Sequence, residues 1–161
     1  MDLLADAAQA PAWRLDLADS ELAAITPDGH GGLLLRLAVA VLVPTAASRA
    51  AGAEPEHALG VSVQLDAVEA VEVGEGLDTA ALADVAAAMT GMTSMTAGRI
   101  RHARVVNAGT GLTLALPCPG RVAGPLRIEL QPAHGPTQVW RAAGLTVSLA
   151  DNARQLGVHA C

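Results

Sequence analysis

Gly60-Val-Ser-Val-Gln-Leu65 alternates apolar and polar residues at every step after its glycine. A strand points successive side chains to opposite faces, so Val61, Val63 and Leu65 share one face and Ser62 and Gln64 the other. Four more segments open on glycine and then follow a period of two. They are Gly32-Leu-Leu-Leu-Arg-Leu37, Gly111-Leu-Thr-Leu-Ala-Leu116, Gly124-Pro-Leu-Arg-Ile-Glu-Leu130 and Gly144-Leu-Thr-Val-Ser-Leu149. Those at 60, 111 and 144 share the form Gly-x-Ser/Thr-Val/Leu-x-Leu, but their spacings of 51 and 33 residues are unequal. They therefore read as one strand type used repeatedly and not as a sequence repeat.

The links between these segments are short and rich in turn formers. Thr26-Pro-Asp-Gly-His-Gly-Gly32 joins Leu22–Ile25 to Leu33–Val43, and Asn107–Gly111 joins Arg99–Val106 to Leu112–Leu116. Pro117–Gly124 leads into Leu126–Leu130, and Gln131–Pro136 into Thr137–Arg141. Such links favour antiparallel neighbours, because parallel ones need long crossovers. The expected fold is mainly β: an antiparallel β-sandwich or partly closed barrel built as a meander, in a single all-β domain over 1–161. Three stretches depart from the pattern. Residues 44–57 are rich in Ala, Pro and Glu without a clear period and read as a mobile loop. Leu77–Met89 has helical spacing of Leu82, Val85 and Met89 behind a capping Asp78, which predicts an internal helix near 78–90. The first residues, ending at Pro11, read as a short amphipathic N-terminal helix.

Composition narrows the class. The chain has 161 residues, 52% hydrophobic and 16% charged, which excludes a disordered acidic chain. Phe and Tyr are missing and Trp13 and Trp140 are the only aromatics, so the core must come from Leu, Val, Ile and Ala. The longest apolar run, Leu33–Val43, is 11 residues and contains Arg36, well short of the roughly 20 that span a bilayer. The opening residues carry two Asp and no basic residue, unlike a secretory leader, and two cysteines cannot build a disulfide scaffold. A reducing, cytoplasmic location is expected, with no membrane contact. Apolar content this high also suits a homodimer.

The net charge of −6 is unevenly placed. Residues 1–90 hold three Arg against fourteen acids, which is −11, and residues 91–161 hold seven Arg against two acids, which is +5. Glu54, Glu56, Asp66, Glu69, Glu72, Glu75, Asp78 and Asp84 fall within 31 residues and no Arg interrupts them. Arg99, Arg101 and Arg104, with His102 between them, form the basic cluster. A nucleic-acid module would add stacking aromatics and a basic total, so no nucleic acid is expected as partner.

Signals for chemistry are few. His30, His57, His102, His134 and His159 lack metal-ligand spacing, and Met89, Met92 and Met95 read as packing residues, so no metal and no cofactor is expected. Ser94 lacks the Gly-x-Ser-x-Gly context, and Cys118, in Pro-Cys-Pro, has no local base and reads as a loop residue. Gly109-Thr-Gly111 opens an apparent strand, not the helix N-terminus that holds a phosphate, and no P-loop is possible without Lys. No catalytic residue is assigned, and the reading leans away from an enzyme.

Trp13-Arg-Leu-Asp-Leu-Ala-Asp-Ser20, followed by glycine-led strands, resembles a diffuse group of uncharacterised bacterial all-β proteins. In size, acidity and lack of a catalytic motif the chain is similar to immunity proteins that neutralise nuclease toxins. The resemblance lies in general pattern and transfers no residue roles. The −11 of residues 1–90 and the lack of a catalytic set point to a non-enzymatic protein-binding module that occludes a basic, nuclease-like partner through an acidic surface, with Glu54, Glu56, Asp66, Glu69 and Glu72 as contacts. The alternative is a small-ligand carrier or enzyme using an apolar cavity of the β-structure, with Arg99, Arg101 and His102 at its mouth.

Overall fold

The computed structural model describes residues 13–70, 98–134, 137–150 and 155–156. Its first hairpin is set by one carboxylate. Asp28 Oδ1 accepts the backbone N–H groups of His30 at 2.7 Å and Gly32 at 2.8 Å, and Oδ2 accepts Gln64 Nε2 at 2.6 Å. Gly29 and Gly31 supply the φ of +81° that this turn requires. The turn reverses the chain between β1 (Trp13–Pro27) and β2 (Leu33–Pro44). A single-turn helix α1 (Ala46–Ala50), β3 (Glu56–Ala58), β4 (Val61–Asp66) and β5 (Glu69–Ala70) follow. The second part holds β6 (Gly98–Asn107), β7 (Leu116–Cys118), β8 (Gly120–Pro132), β9 (Gln138–Leu149) and β10 (Gln155–Leu156).

Six of these strands close on themselves in the order β1–β2–β4–β9–β8–β6 and back to β1, every pair antiparallel. The fold is a closed six-stranded barrel, which resolves the sandwich-or-barrel alternative. Extra strands extend it: β3 pairs with β2 and carries β10, β7 pairs with β1, and β5 pairs with β9. Two meanders build the barrel, β1–β2–β4 and β6–β8–β9. The second is laid beside the first in reverse order, so that its last strand, β9, meets β4 and its first, β6, meets β1.

Alternation decides what goes inside. Leu33, Leu35, Val61, Val63, Leu65, Leu126, Ile128, Leu130, Leu145 and Val147 are all buried and form one cluster with Ile100 and Leu42. Each buried Leu, Ile or Val contributes about 1.5–3 kcal/mol relative to exposure. Trp140, at 3% exposure, is the single aromatic among the buried residues, so the core is aliphatic as the composition requires.

The strand boundaries differ from the sequence reading at the glycines. Gly32 and Gly60 do precede strands. Gly124 and Gly144 instead lie inside β8 and β9, and Gln138–Arg141, of the segment read as Thr137–Arg141, and Gly144–Leu149 belong to one continuous β9. Leu112–Leu116 is a return loop held to β6 by an isolated Val106–Thr113 bridge, and regular pairing begins at Leu116. Cys118, read as a loop residue, sits in β7 fully buried, and burial pushes its thiol pKa up to about 11. Within 44–57, read as a mobile loop, the chain forms α1 and begins β3. The helices expected near 78–90 and at the N-terminus lie outside the described residues. No helix among the described residues is long and apolar enough to cross a membrane.

Candidate functional site

The two meanders are also two charge domains. Strands β1 to β5 carry Asp16, Asp19, Glu21, Glu56, Asp66 and Glu69 against Arg14 and Arg36. Strands β6, β8 and β9 carry Arg99, Arg101, Arg104, Arg121, Arg127 and Arg141 against Glu129. The charge asymmetry of the sequence thus follows the division into two meanders, termed the acidic and the basic wall. Ion pairs between the walls form at their seams. Arg99 meets Asp19 at 2.5 Å across β6 and β1, and Arg121 reaches over β9 to Asp66 at 3.0 Å. Exposed pairs of this kind contribute at most about 1 kcal/mol each. Within the basic wall, Arg127 holds Glu129 at 3.1 Å.

The Asp66–Arg121 pair needs Gly144 beneath it. A Cβ there would stand 3.0 Å from the Arg121 guanidinium and 3.2 Å from Asp66 Oδ2. Asp66 Oδ2 is shielded from water, and its contact with Arg121 is an ion pair without the geometry of a directed hydrogen bond.

The proposed acidic contacts divide into two groups. Glu56 lies opposite Leu42 on β2, with Glu54 just before it, whereas Asp66 follows Leu65, which lies opposite Leu33. Leu42 lies nine residue steps from Leu33, and at about 3.3 Å per step the groups stand roughly 30 Å apart along the strand. Glu69 sits on the Asp66 side, opposite Arg141 on β9. Glu54 and Glu69 are exposed, while Glu56 Oε2 is buried without a hydrogen-bond partner among the described residues. Glu72 lies outside the described residues.

Arg99, Arg101 and His102 are exposed on β6. A bulge between Ile100 and His102 turns Arg101 and His102 both outward while Ile100 stays in the core. These side chains therefore decorate the outer wall, and the barrel interior beside them is occupied by Ile100 and Leu130. Among the described residues no group of three His, Cys, Asp or Glu side chains is placed to hold a metal ion. The Met89, Met92 and Met95 stripe lies outside the described residues.

One feature escaped the sequence reading. Between Asp16, opposite Val41, and Glu21, opposite Val39, β1 advances five residues while β2 advances two. This wide bulge is closed by Ser20, the one fully buried polar residue described. Its Oγ donates to the Asp16 carbonyl at 2.6 Å and accepts the Val41 N–H at 3.0 Å, replacing the interrupted ladder. Asp19, at the tip, has φ +69°, a conformation that Asp tolerates better than most residues. Beside the bulge lies an open cleft of about 240 Å³ lined by Arg14, Leu15, Asp16, Val43, Leu114, Ala115 and Leu116. Asp16 is exposed overall, yet partial withdrawal of its carboxyl from water raises its pKa. The Ala18 N–H opposes that shift and the Asp19 charge adds to it. The available signal was Asp16-x-x-Asp19-Ser20-Glu21, a cluster of polar residues that interrupts the apolar alternation of β1.

Comparison of the chain with protein-family models, with curated proteins and with solved structures found no match.

Proposed function

We propose that this protein is a non-enzymatic binding module that docks a basic protein, of the nuclease-toxin kind, against its acidic wall. The observation that supports this reading is the segregation of charge. Cross-wall ion pairs sit at the seams, and Glu54 and Glu69 on the acidic side join no ion pair among the described residues. The separation of the two acidic groups fits a single partner. A standard interface covers about 800 Å² per side, and a round patch of that area is about 32 Å across. Glu54 and Glu56 would then lie on one rim and Asp66 and Glu69 on the other, with Glu72 on the chain beyond Glu69. Rim charges steer encounter and set its salt dependence more than they hold the complex. The toxin-neutralising immunity role, in the cytoplasm of a bacterium where such a partner would be met, completes the proposal.

A salt-resolved pull-down with the wild-type chain and an amide variant tests it. The variant carries Glu54→Gln, Glu56→Gln, Asp66→Asn, Glu69→Gln and Glu72→Gln. One basic protein captured at low salt, weakened at high salt, and captured less and with a weaker salt dependence by the variant is the expected result. Equal capture by both chains would overturn the assignment.

A further inference from the structure

We propose that the cleft beside the β1 bulge binds a small apolar zwitterion, a free branched-chain amino acid, with Arg14 taking its carboxylate and Asp16 its ammonium group. The site is separate from the acidic contacts above and does not depend on them. Its floor is the outer face of β1. Arg14 and Asp16 alternate with buried Leu15, so both project to the outside, two residues and about 7 Å apart along the strand. Arg14 lies opposite Val43 of β2 on one side and Pro117 of β7 on the other. Val43 on one side, with Leu114 and Ala115 on the other, therefore flanks a pair of opposite charges, while Leu116, opposite Leu15, stays in the core.

Those charges do not satisfy each other. The ion pairs of the described residues are Arg99–Asp19, Arg121–Asp66 and Arg127–Glu129, and neither Arg14 nor Asp16 takes part. The bulge holds them in place. Ser20 ties the Asp16 carbonyl to the Val41 N–H, which fixes the strand where Asp16 leaves the regular ladder.

The ligand class follows from this set. A guanidinium fork matches a carboxylate in a bidentate contact. Asp16 offers acceptors to an ammonium group, and the half-buried Val43 and Leu114 offer apolar contact to a branched side chain. The volume of about 240 Å³ corresponds to roughly eight water molecules. It falls below the roughly 300–1,000 Å³ of drug-sized sites, and a free amino acid suits it better than a larger metabolite.

The test is a titration of the full chain with L-leucine, followed through backbone amide NMR shifts. Saturable shifts at Leu15, Asp16 and Leu114–Leu116 are expected. 4-Methylpentanoate, which lacks the amine, and 3-methylbutylamine, which lacks the carboxylate, should each bind about tenfold more weakly. Arg14→Gln should weaken leucine without changing the amine, and Asp16→Asn should weaken leucine without changing the carboxylate. Arg36→Gln, elsewhere on the acidic wall, should leave all three affinities unchanged. No saturable shift at these residues, or equal affinity for leucine and both analogues, would overturn the proposal. The ligand comparison on the unmodified chain decides the matter even where a variant folds poorly.

Discussion

The β1–β2 pair and the β8–β9 pair face the same mechanical problem. Each contains strands of 12 to 15 residues that must bend to close a six-stranded barrel. They solve it with opposite chemistry. In β1 the chain is lengthened locally, and a side-chain hydroxyl, that of Ser20, stands in for the missing backbone partner. In β8 and β9 side chains are removed. A Cβ on Gly124 would stand 2.8 Å from the Ala143 carbonyl oxygen and 2.9 Å from that of Ala142. The register shift between Ala123 and Leu126 falls on the same spot. Bulges and glycine kinks are two known means of curving a sheet, and the β1–β2 pair relies on the first while the β8–β9 pair adds the second at its own register shift. A bend made by a hydroxyl can lose one hydrogen bond and survive, whereas a bend made by close backbone approach has no slack.

The strongest way to break this comparison is Gly124→Ala. The added methyl meets backbone atoms, which cannot swing aside, and unfolding free energy should fall by about 3 kcal/mol in a urea titration. A loss below the uncertainty of the method would mean that β8 does not bend by backbone contact. Ser20→Ala comes next. It strips the Val41 N–H of its partner in a buried position, and a loss of about 2 kcal/mol is expected. Unchanged stability would show that the β1 bulge does not depend on the hydroxyl. Gly144→Ala should cost least, about 0.5 kcal/mol. Its methyl meets the far end of the Arg121 side chain, which can move and give up only an exposed ion pair. The same loss should disappear when Gly144→Ala is made in an Arg121→Gln background. Two costs that simply add would place the strain elsewhere.

The two devices were unequally visible in the sequence. Gly124 and Gly144 announced themselves, but as strand starts, because a glycine before an alternating run signals a turn as readily as a bend. What distinguishes the cases is the register on the neighbouring strand, which is long-range information. Gly32 had Asp28, Gly29 and Gly31 just before it, and turn chemistry that dense marks a true boundary. Ser20 gave almost no signal, since a lone serine on a strand reads as a solvent position. Alternation at 60–65 and 126–130 correctly placed the core, because burial on one face leaves a period of two whatever the strand order. Closure of the barrel was beyond local reading. It depends on β6 meeting β1 through two residue pairs, Glu21–Arg99 and Leu22–Gly98, separated by some eighty positions of chain. The charge halves were legible as totals, but their arrangement as walls required knowing that each meander stays contiguous around the barrel.

The smallest expected effect lies in pH, and it contrasts the two carboxylates that flank the bends of the first hairpin. Hydrogen bonds from the His30 and Gly32 amides hold the Asp28 carboxyl below its ordinary pKa, with Gln64 adding to them. Its charge therefore supports the fold above the unfolded value of about 3.9, and that support fades as pH falls through the lower folded value. Asp16 runs the other way. Its raised pKa means that the folded chain holds the proton more tightly, so its charge carries a penalty at neutral pH. That penalty is relieved as pH falls from above the raised value towards about 3.9. Urea midpoints of wild type, Asp28→Asn and Asp16→Asn at pH 7, 5 and 3 separate the two. Asp28→Asn should be the less stable chain at pH 7 and 5, with the gap narrowing at pH 3. Asp16→Asn should be slightly the more stable at pH 7, and that gap should narrow earlier in the descent. Gaps of the same sign, or gaps that stay constant with pH, would mean that the turn and the bulge do not hold their carboxylates in opposite states. The turn would then owe its stability to Gly29 and Gly31 alone, and the bulge to Ser20.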